Sequence, residues 1–259
     1  MSERWQRMLA QLVAAERSDQ TYRYAEPQPA PGVDSDPHQQ RVHEATIWNE
    51  LVDRVCGPTR PHPGLVLDAG CGTGVHLAEL AARFRHVLAI DADPARIAVL
   101  RAAGRADGDR VGCATLRLQD AALRDPLLQG QFALVHCIQV LGHVTTGDLP
   151  LILDTFGRLL APGGHLLLAV PFTNRERDGF LVATRLDDGS VRGRGSDQRE
   201  CDRLVAAPEP GQLPVHHFAQ LTLMAAMRSV GLAIVGEQPY NWFSFEHADM
   251  MLLAQKRAQ

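Results

Sequence analysis

Residues 65–74, Leu-Val-Leu-Asp-Ala-Gly-Cys-Gly-Thr-Gly, constrain this chain more than any other stretch. A short apolar run ends in an acid, and glycines follow at every second position. Residues 75–84 then place apolar side chains at helical spacing. The segment reads as a buried strand, a tight turn and a helix. Glycine lets the backbone come close to a ligand, and the first turn of a helix offers N–H groups without intrahelical partners. Several nucleotide-binding folds use such a turn, so its neighbours decide the reading.

The neighbours are informative. The spacing Gly70-x-Gly72-x-Gly74 is one residue short of the dinucleotide fingerprint, and an acid, Asp68, precedes it. A second strand, 86–90, ends in Asp91, seventeen residues after Gly74. A carboxylate at that strand tip is placed to accept hydrogen bonds from a ribose. In these residues the chain resembles the class I S-adenosylmethionine-dependent methyltransferases. Val66–Gly74 is similar to their first motif, and Ala89-Ile90-Asp91-Ala92-Asp93-Pro94 to their second. Leu159-Leu160-Ala161-Pro162-Gly163-Gly164 resembles the turn before their fifth strand. The resemblance covers 64–171 well and 216–256 loosely, and no family motif covers the first 60 residues or 171–215.

Alternating strands and helices imply a parallel sheet covered on both faces. Strands are expected near 65–69, 86–91, 114–119, 132–137, 165–170, 232–237 and 248–256. Helices are expected near 3–17, 38–56, 75–84, 94–103, 148–160 and 218–230. The family implies a Rossmann-like, mostly parallel seven-stranded sheet with an antiparallel C-terminal hairpin. Residues 1–60 are read as a helical cap or lid, and 61–259 as the cofactor-binding domain, with a lid insertion at 171–215. Within that insertion only a hairpin with an Asp-Gly turn is expected, the rest being irregular.

The chain has 259 residues and 45% apolar content, enough for one α/β domain with elaborations. A formal charge of −4 sets up no basic field for nucleic acid or anionic membrane. Five cysteines without a C-x-x-C pair argue against a disulfide framework or a structural zinc. No apolar stretch approaches a membrane span, and the N-terminus has no signal-peptide core. These features set the expectation of a cytoplasmic protein. The Arg- and Ala-rich composition fits a GC-rich bacterial genome and is compatible with specialised metabolism.

The resemblance implies S-adenosylmethionine as cofactor and assigns roles. Gly70, Cys71, Gly72 and Gly74 form the turn around the methionine part, Asp91 and Ala92 meet the ribose, and Gln119, Asp120 and Ala121 meet the adenine. Cys137 lies on the fourth strand beside the site. Asp68 reads either as a direct ligand or as a turn-stabilising acid, Asp120 also reads as a helix cap, and Cys71 as a small filler. The stretch 131–144 departs from the family. Ala133 and Gly142 stand where Asp and Glu are common, while His143 keeps its place. The acid of metal-dependent catechol-type enzymes would fall near Ile138 and is absent, so no metal is expected. Nor does the Asn-Pro-Pro-Tyr clamp of adenine and glutamine amino-methyltransferases appear.

Methyl transfer from a sulfonium is an in-line displacement, and a base is needed only where the acceptor is protonated. His143 is the first candidate base and His217 its rival. The alternative for His143 is a structural histidine that orders its loop. His216, Tyr22 and Tyr24 are read as acceptor-lid residues, one of the paired histidines facing the pocket and the other solvent. The expected activity is methylation of an O or N atom of a small molecule, with no nucleic-acid or membrane partner. The apolar stripe Trp5, Met8, Leu9, Leu12 and Val13 of the N-terminal helix is read as packing on the domain or on a second subunit, a homodimer contact. Two rivals stand beside this reading. One is a protein of the same fold that binds the cofactor yet catalyses another reaction. The other is an RNA methyltransferase using the arginines of the insertion.

Overall fold

The computed structural model describes residues 3–16, 37–58, 61–186, 191–240 and 247–257. Tyr22 and Tyr24, and with them any lid role of that loop, lie outside the described residues.

Five parallel strands form the centre. They are β1 (His62–Ala69), β2 (Phe84–Asp91), β3 (Val111–Thr115), β4 (Phe132–Ile138) and β5 (Leu160–Thr173). Their order is β3-β2-β1-β4-β5, so the winding reverses between β1 and β4. Beyond β5 come β10 (His247–Lys256), antiparallel to it, and then β9 (Leu232–Tyr240). These seven strands are the expected sheet with its C-terminal hairpin.

Strand alternation splits the core into two layers. Leu67 and Ala69 of β1 and Val135 and Cys137 of β4 join one apolar layer with Trp5, Met8 and Leu12 of α1 (Glu3–Ala14). Helices α5 (Leu149–Leu159) and α7 (Gln220–Ser229) close that face. Val66 and Leu134 join the other layer, beneath α2 (Pro37–Cys56), α3 (Leu77–Arg83) and α4 (Pro94–Ala102). Capping fixes the start of α4, where the Asp93 side chain accepts from Ala95 N–H and Pro94 supplies a preset φ.

The N-terminal helices therefore pack on opposite faces of the sheet instead of forming a cap of their own. Trp5 stacks on His86 at 4.7 Å, and its indole donates to the Gly108 carbonyl at 3.0 Å. Trp5, Met8 and Leu12 of the stripe are thus consumed within the chain with Leu9 packed against that layer, while Val13 stays exposed.

The insertion is more ordered than its composition suggests. It holds β6 (Gly179–Arg185), β7 (Val191–Gly195), α6 (Gln198–Ala206) and β8 (Gln212–Ala219). The three strands pair antiparallel, and β8 joins the main sheet through Phe172–Phe218 and Thr173–Ala219. Charged residues hide the helix in the sequence, because only Cys201 and Leu204 of α6 are buried. His216 and His217 consequently sit on a strand and not at a helix entrance.

Candidate active site

A cavity of about 750 Å³ opens at the C-terminal ends of the central strands, at the reversal between β1 and β4. Its floor is Asp68, Gly70, Cys71 and Gly72, and its sides include Asp91, Ala92, Gln119 and His143. Val205, Ala206 and Pro208 of the insertion form one wall, and Glu44 of α2 reaches in from another.

The glycine turn is braced from below. Gly70 and Cys71 both donate to the Ile90 carbonyl, at 2.8 and 2.9 Å. Gly70 has φ +80°, and a Cβ there would stand 2.3 Å from Val140 Cγ2. Asp91 ties the turn to the second strand, accepting from Gly72 N–H at 2.8 Å and Asp93 N–H at 2.9 Å. Burial pushes the Asp91 carboxyl above its ordinary range, against the pull of those two N–H donors and of Arg96. Each of its oxygens is anchored once and keeps a second lone pair for a ligand hydroxyl. Burial, then Asp68 and Asp91, drives the Cys71 thiol well up, so it is a neutral filler.

Of the residues assigned to the cofactor, Gly74, Cys137, Asp120 and Ala121 change place. Gly74 does not line the cavity; a Cβ there would stand 2.5 Å from Leu100 Cδ2, so its small size lets α4 pack on the turn. Cys137 points to the opposite face of β4, into the apolar layer under α1 and α5. The third strand ends at Thr115, earlier than expected: Leu116 N–H makes the last rung to the carbonyl of Asp91, the final residue of β2, and the chain then turns. Within that turn Asp120 accepts from Arg117 N–H at 2.9 Å, and Ala121 is exposed, so neither lines the cavity. Gln119 does line it, with its amide 3.4 Å from Asp148.

Of the histidines, only His143 among those expected lines the cavity. Its Nδ1 donates to the Pro214 carbonyl at 2.8 Å, a tautomer that places the ring's lone pair on Nε2. Neither His216 nor His217 faces the cavity or solvent, both being buried on β8. His216 bonds Asp178 at 2.9 Å and packs between Phe180 and Phe218. Burial would raise the Asp178 carboxyl, but His216 and the Ala219 N–H outweigh it and hold it below the ordinary range. Gly142 explains one departure from the family, since a Cβ there would press on Pro171 at 3.1 Å and on the His216 carbonyl at 3.3 Å.

The cavity also holds residues that motif reading passed over. His136 sits mid-strand on β4, directly opposite Asp68, and its Nδ1 lies 2.8 Å from Asp68 Oδ1. Trp48 of α2 donates its indole N–H to His136 Nε2 at 2.8 Å. His76 stacks on Trp48 at 5.1 Å, and burial, then His136, lowers it to about 4 against the pull of Asp68. A histidine inside an apolar strand was the available signal for this cluster. Gln139 has φ 56°, the one positive value at a non-glycine among the described residues, at the tip of β4.

Residues 38–236 match the family model described as a methyltransferase domain. This chain belongs to that methyltransferase family. A ubiquinone biosynthesis O-methyltransferase from Marinobacter nauticus is 33% identical over 117 residues, 45% of this chain and 47% of that protein. The chain spans about half the length of the curated relatives it matches. An S-adenosylmethionine-dependent methyltransferase from Mesorhizobium loti has the same fold, with a TM-score of 0.56 at 19% identity, covering 83% of this chain and 99% of that one. So has the 1,6-didemethyltoxoflavin-N1-methyltransferase of Burkholderia thailandensis, whose structure contains 1,6-didemethyltoxoflavin and S-adenosylhomocysteine. Its TM-score is 0.53 at 19% identity, with 86% of each chain covered. The fold is thus that of the Rossmann-like methyltransferases.

The residues present suit the cofactor of such a methyltransferase. A backbone turn with positive φ at Gly70 and Gly72 faces the cavity, and an anchored carboxylate stands on the next strand. Arg117 also lines the cavity, and its Nε is a buried donor without a described partner. Among the described residues no group of three or more His, Cys, Asp or Glu is arranged to hold a metal ion, and no helix is long and apolar enough to cross a membrane.

Proposed function

We propose that this chain transfers the methyl group of S-adenosylmethionine to an oxygen or nitrogen of a small-molecule acceptor, with His143 as the base. The observation that carries this reading is the shared cavity, where His143 stands with the glycine turn and Asp91. Gly70, Gly72 and Asp68 would hold the methionine part, Asp91 the ribose, and Ala92, Leu118 and Gln119 the adenine. The cofactor supplies an electrophilic methyl on a good leaving group. The protein's own work is to align the acceptor, exclude water and receive a proton. His143 is suited to the last, because the Pro214 carbonyl holds its proton on Nδ1 and leaves Nε2 basic. The apolar wall of Val205, Ala206 and Pro208 suits a compact organic acceptor.

Both named small-molecule relatives favour this reading, one by an O-methyltransferase name and the other by an N-methyltransferase name. An RNA acceptor is less well served. Of the arginines at 175, 177, 185, 192, 194 and 199 on which that reading rests, Arg194 is clamped by Glu200 at 2.6 and 2.9 Å, so that charge is already compensated.

The test is His143→Ala, assayed by conversion to S-adenosylhomocysteine across a panel of phenols and amines. Turnover should fall about a hundredfold with cofactor affinity unchanged, and the deficit should shrink at high pH, where the acceptor ionises unaided. Full activity at neutral pH would reduce His143 to a loop-ordering residue.

A further inference from the structure

Trp48, His136 and Asp68 form a hydrogen-bonded line beneath the cavity, and all are nearly buried, at 2%, 1% and 3% exposure. An indole N–H only donates, so His136 Nε2 must accept, and the ring's proton sits on Nδ1 and is donated to Asp68. The donors to Asp68 and to His136 thus come from opposite sides, which fixes the imidazole in one tautomer and one orientation. Asp68 is left as a buried carboxylate whose described side-chain partner is a neutral ring, facing the cavity with its remaining capacity. Such a charge needs a cation, because burying it uncompensated is costly.

The other strand-tip acid is differently placed. Asp91 is on β2, beside Ala92 and the loop 116–119 after β3, where the nucleoside half of a ligand fits. Asp68 is on β1, next to β4 and on the far side of the glycine turn. The amino-acid half of the same ligand falls there, and its ammonium is the cation it carries before and after methyl transfer.

We infer that His136 is a positioning residue which, held by Trp48, aims the Asp68 carboxylate at the ammonium of the cofactor. The inference rests on the cofactor reading above. The chain then grips its cofactor at two acids of different kinds. Asp91 is aimed by backbone N–H groups, Asp68 by a side-chain relay that begins on α2.

The relay is tested by calorimetric binding of S-adenosylhomocysteine and of methylthioadenosine, which has the nucleoside and sulfur but no ammonium. His136→Gln keeps an acceptor near Nε2 for Trp48 but lacks the donor to Asp68, whereas His136→Asn keeps a donor near Nδ1. His136→Gln and His136→Phe should lose about tenfold or more in S-adenosylhomocysteine affinity, with methylthioadenosine within about twofold. His136→Asn should stay within about threefold for both ligands. Equal losses for the two ligands, or a His136→Asn as weak as His136→Gln, would overturn the inference in favour of simple packing. An unchanged affinity in all variants would overturn it too, and would pass the ammonium to Glu44, the acid that reaches the cavity from α2. If His136→Phe fails to fold, the Asn and Gln pair still decides. Should the wild-type protein bind neither ligand, it is the cofactor reading that fails.

Discussion

The two ends of the cavity are built differently. The cofactor end rests on β1, β2 and β4, flanked by two large apolar layers and tied by backbone bonds such as Gly70 and Cys71 to Ile90. The end proposed for the acceptor rests on the insertion, whose own buried cluster is Val182, Cys201 and Leu204 with Phe180 against it. Polar ties make up the difference: Asp202 accepts from Thr146 N–H at 2.8 Å and Oγ1 at 2.7 Å, and Arg194 clamps Glu200. Elements with little apolar burial open at low cost. On the proposed function, the more heavily cored end would hold the constant cofactor and the lightly cored end would select the acceptor.

Gly70→Ala should produce the largest effect on this contrast. The added methyl meets Val140 at 2.3 Å while the backbone is held at φ +80°. Left-handed strain and overpacking together cost about 2–5 kcal/mol, so cofactor binding should fall below detection in calorimetry. Wild-type binding would mean that the turn is as soft as the insertion.

Asp91→Ala comes next. Losing charge-assisted bonds to a ribose should weaken S-adenosylhomocysteine about ten- to a hundredfold, and it also unties Gly72. Wild-type affinity should fall on acidification at a pH above the ordinary carboxylate range, because burial raises this carboxyl in the free protein. A flat pH profile would shift the ribose contact elsewhere.

Asp202→Ala probes the other end. Freeing α6 from Thr146 should raise the acceptor KM about three- to tenfold and speed proteolysis within the insertion, with S-adenosylhomocysteine affinity unchanged within about twofold. Equal damage to cofactor binding would show that the two ends are one mechanical unit.

The smallest effect concerns stability alone. The folded His76 titrates near 4, below its ordinary 6.5, so the unfolded chain takes up a proton that the folded chain refuses. Stability must therefore drop as pH falls from 6.5 towards 4. In His76→Gln that part of the drop should vanish, visible as a shallower fall in Tm over the same window. An unaltered acid limb would place the imidazole in contact with water.

Local chemistry explains what was legible in the sequence. The strand-turn-helix at 65–84, the acid at position 91 and the Pro-Gly-Gly turn at 162–164 depend on neighbours a few residues away. The β3 end was misplaced because its partner β2, distant in sequence, stops at Asp91 and leaves residues beyond Thr115 without a strand to pair with. The insertion helix was missed because it buries only Cys201 and Leu204, which leaves almost no apolar periodicity, and because Asp202 finds its partner Thr146 only in the folded chain.

By itself, then, the sequence determined the sheet, its periodic faces and the glycine turn, since these follow from alternation, helical spacing and the conformational freedom of glycine. Only the tertiary structure decided which side chains meet. It turned Cys137 away and His136 inward on one strand, set Gly74 to packing, closed His216 and His217 into β8, and brought Trp48 of α2 onto His136. The physical reason is that a buried polar group must find a partner, and in a wound sheet that partner can be far away in sequence, 68 residues for His136 to Asp68 and 88 for Trp48 to His136.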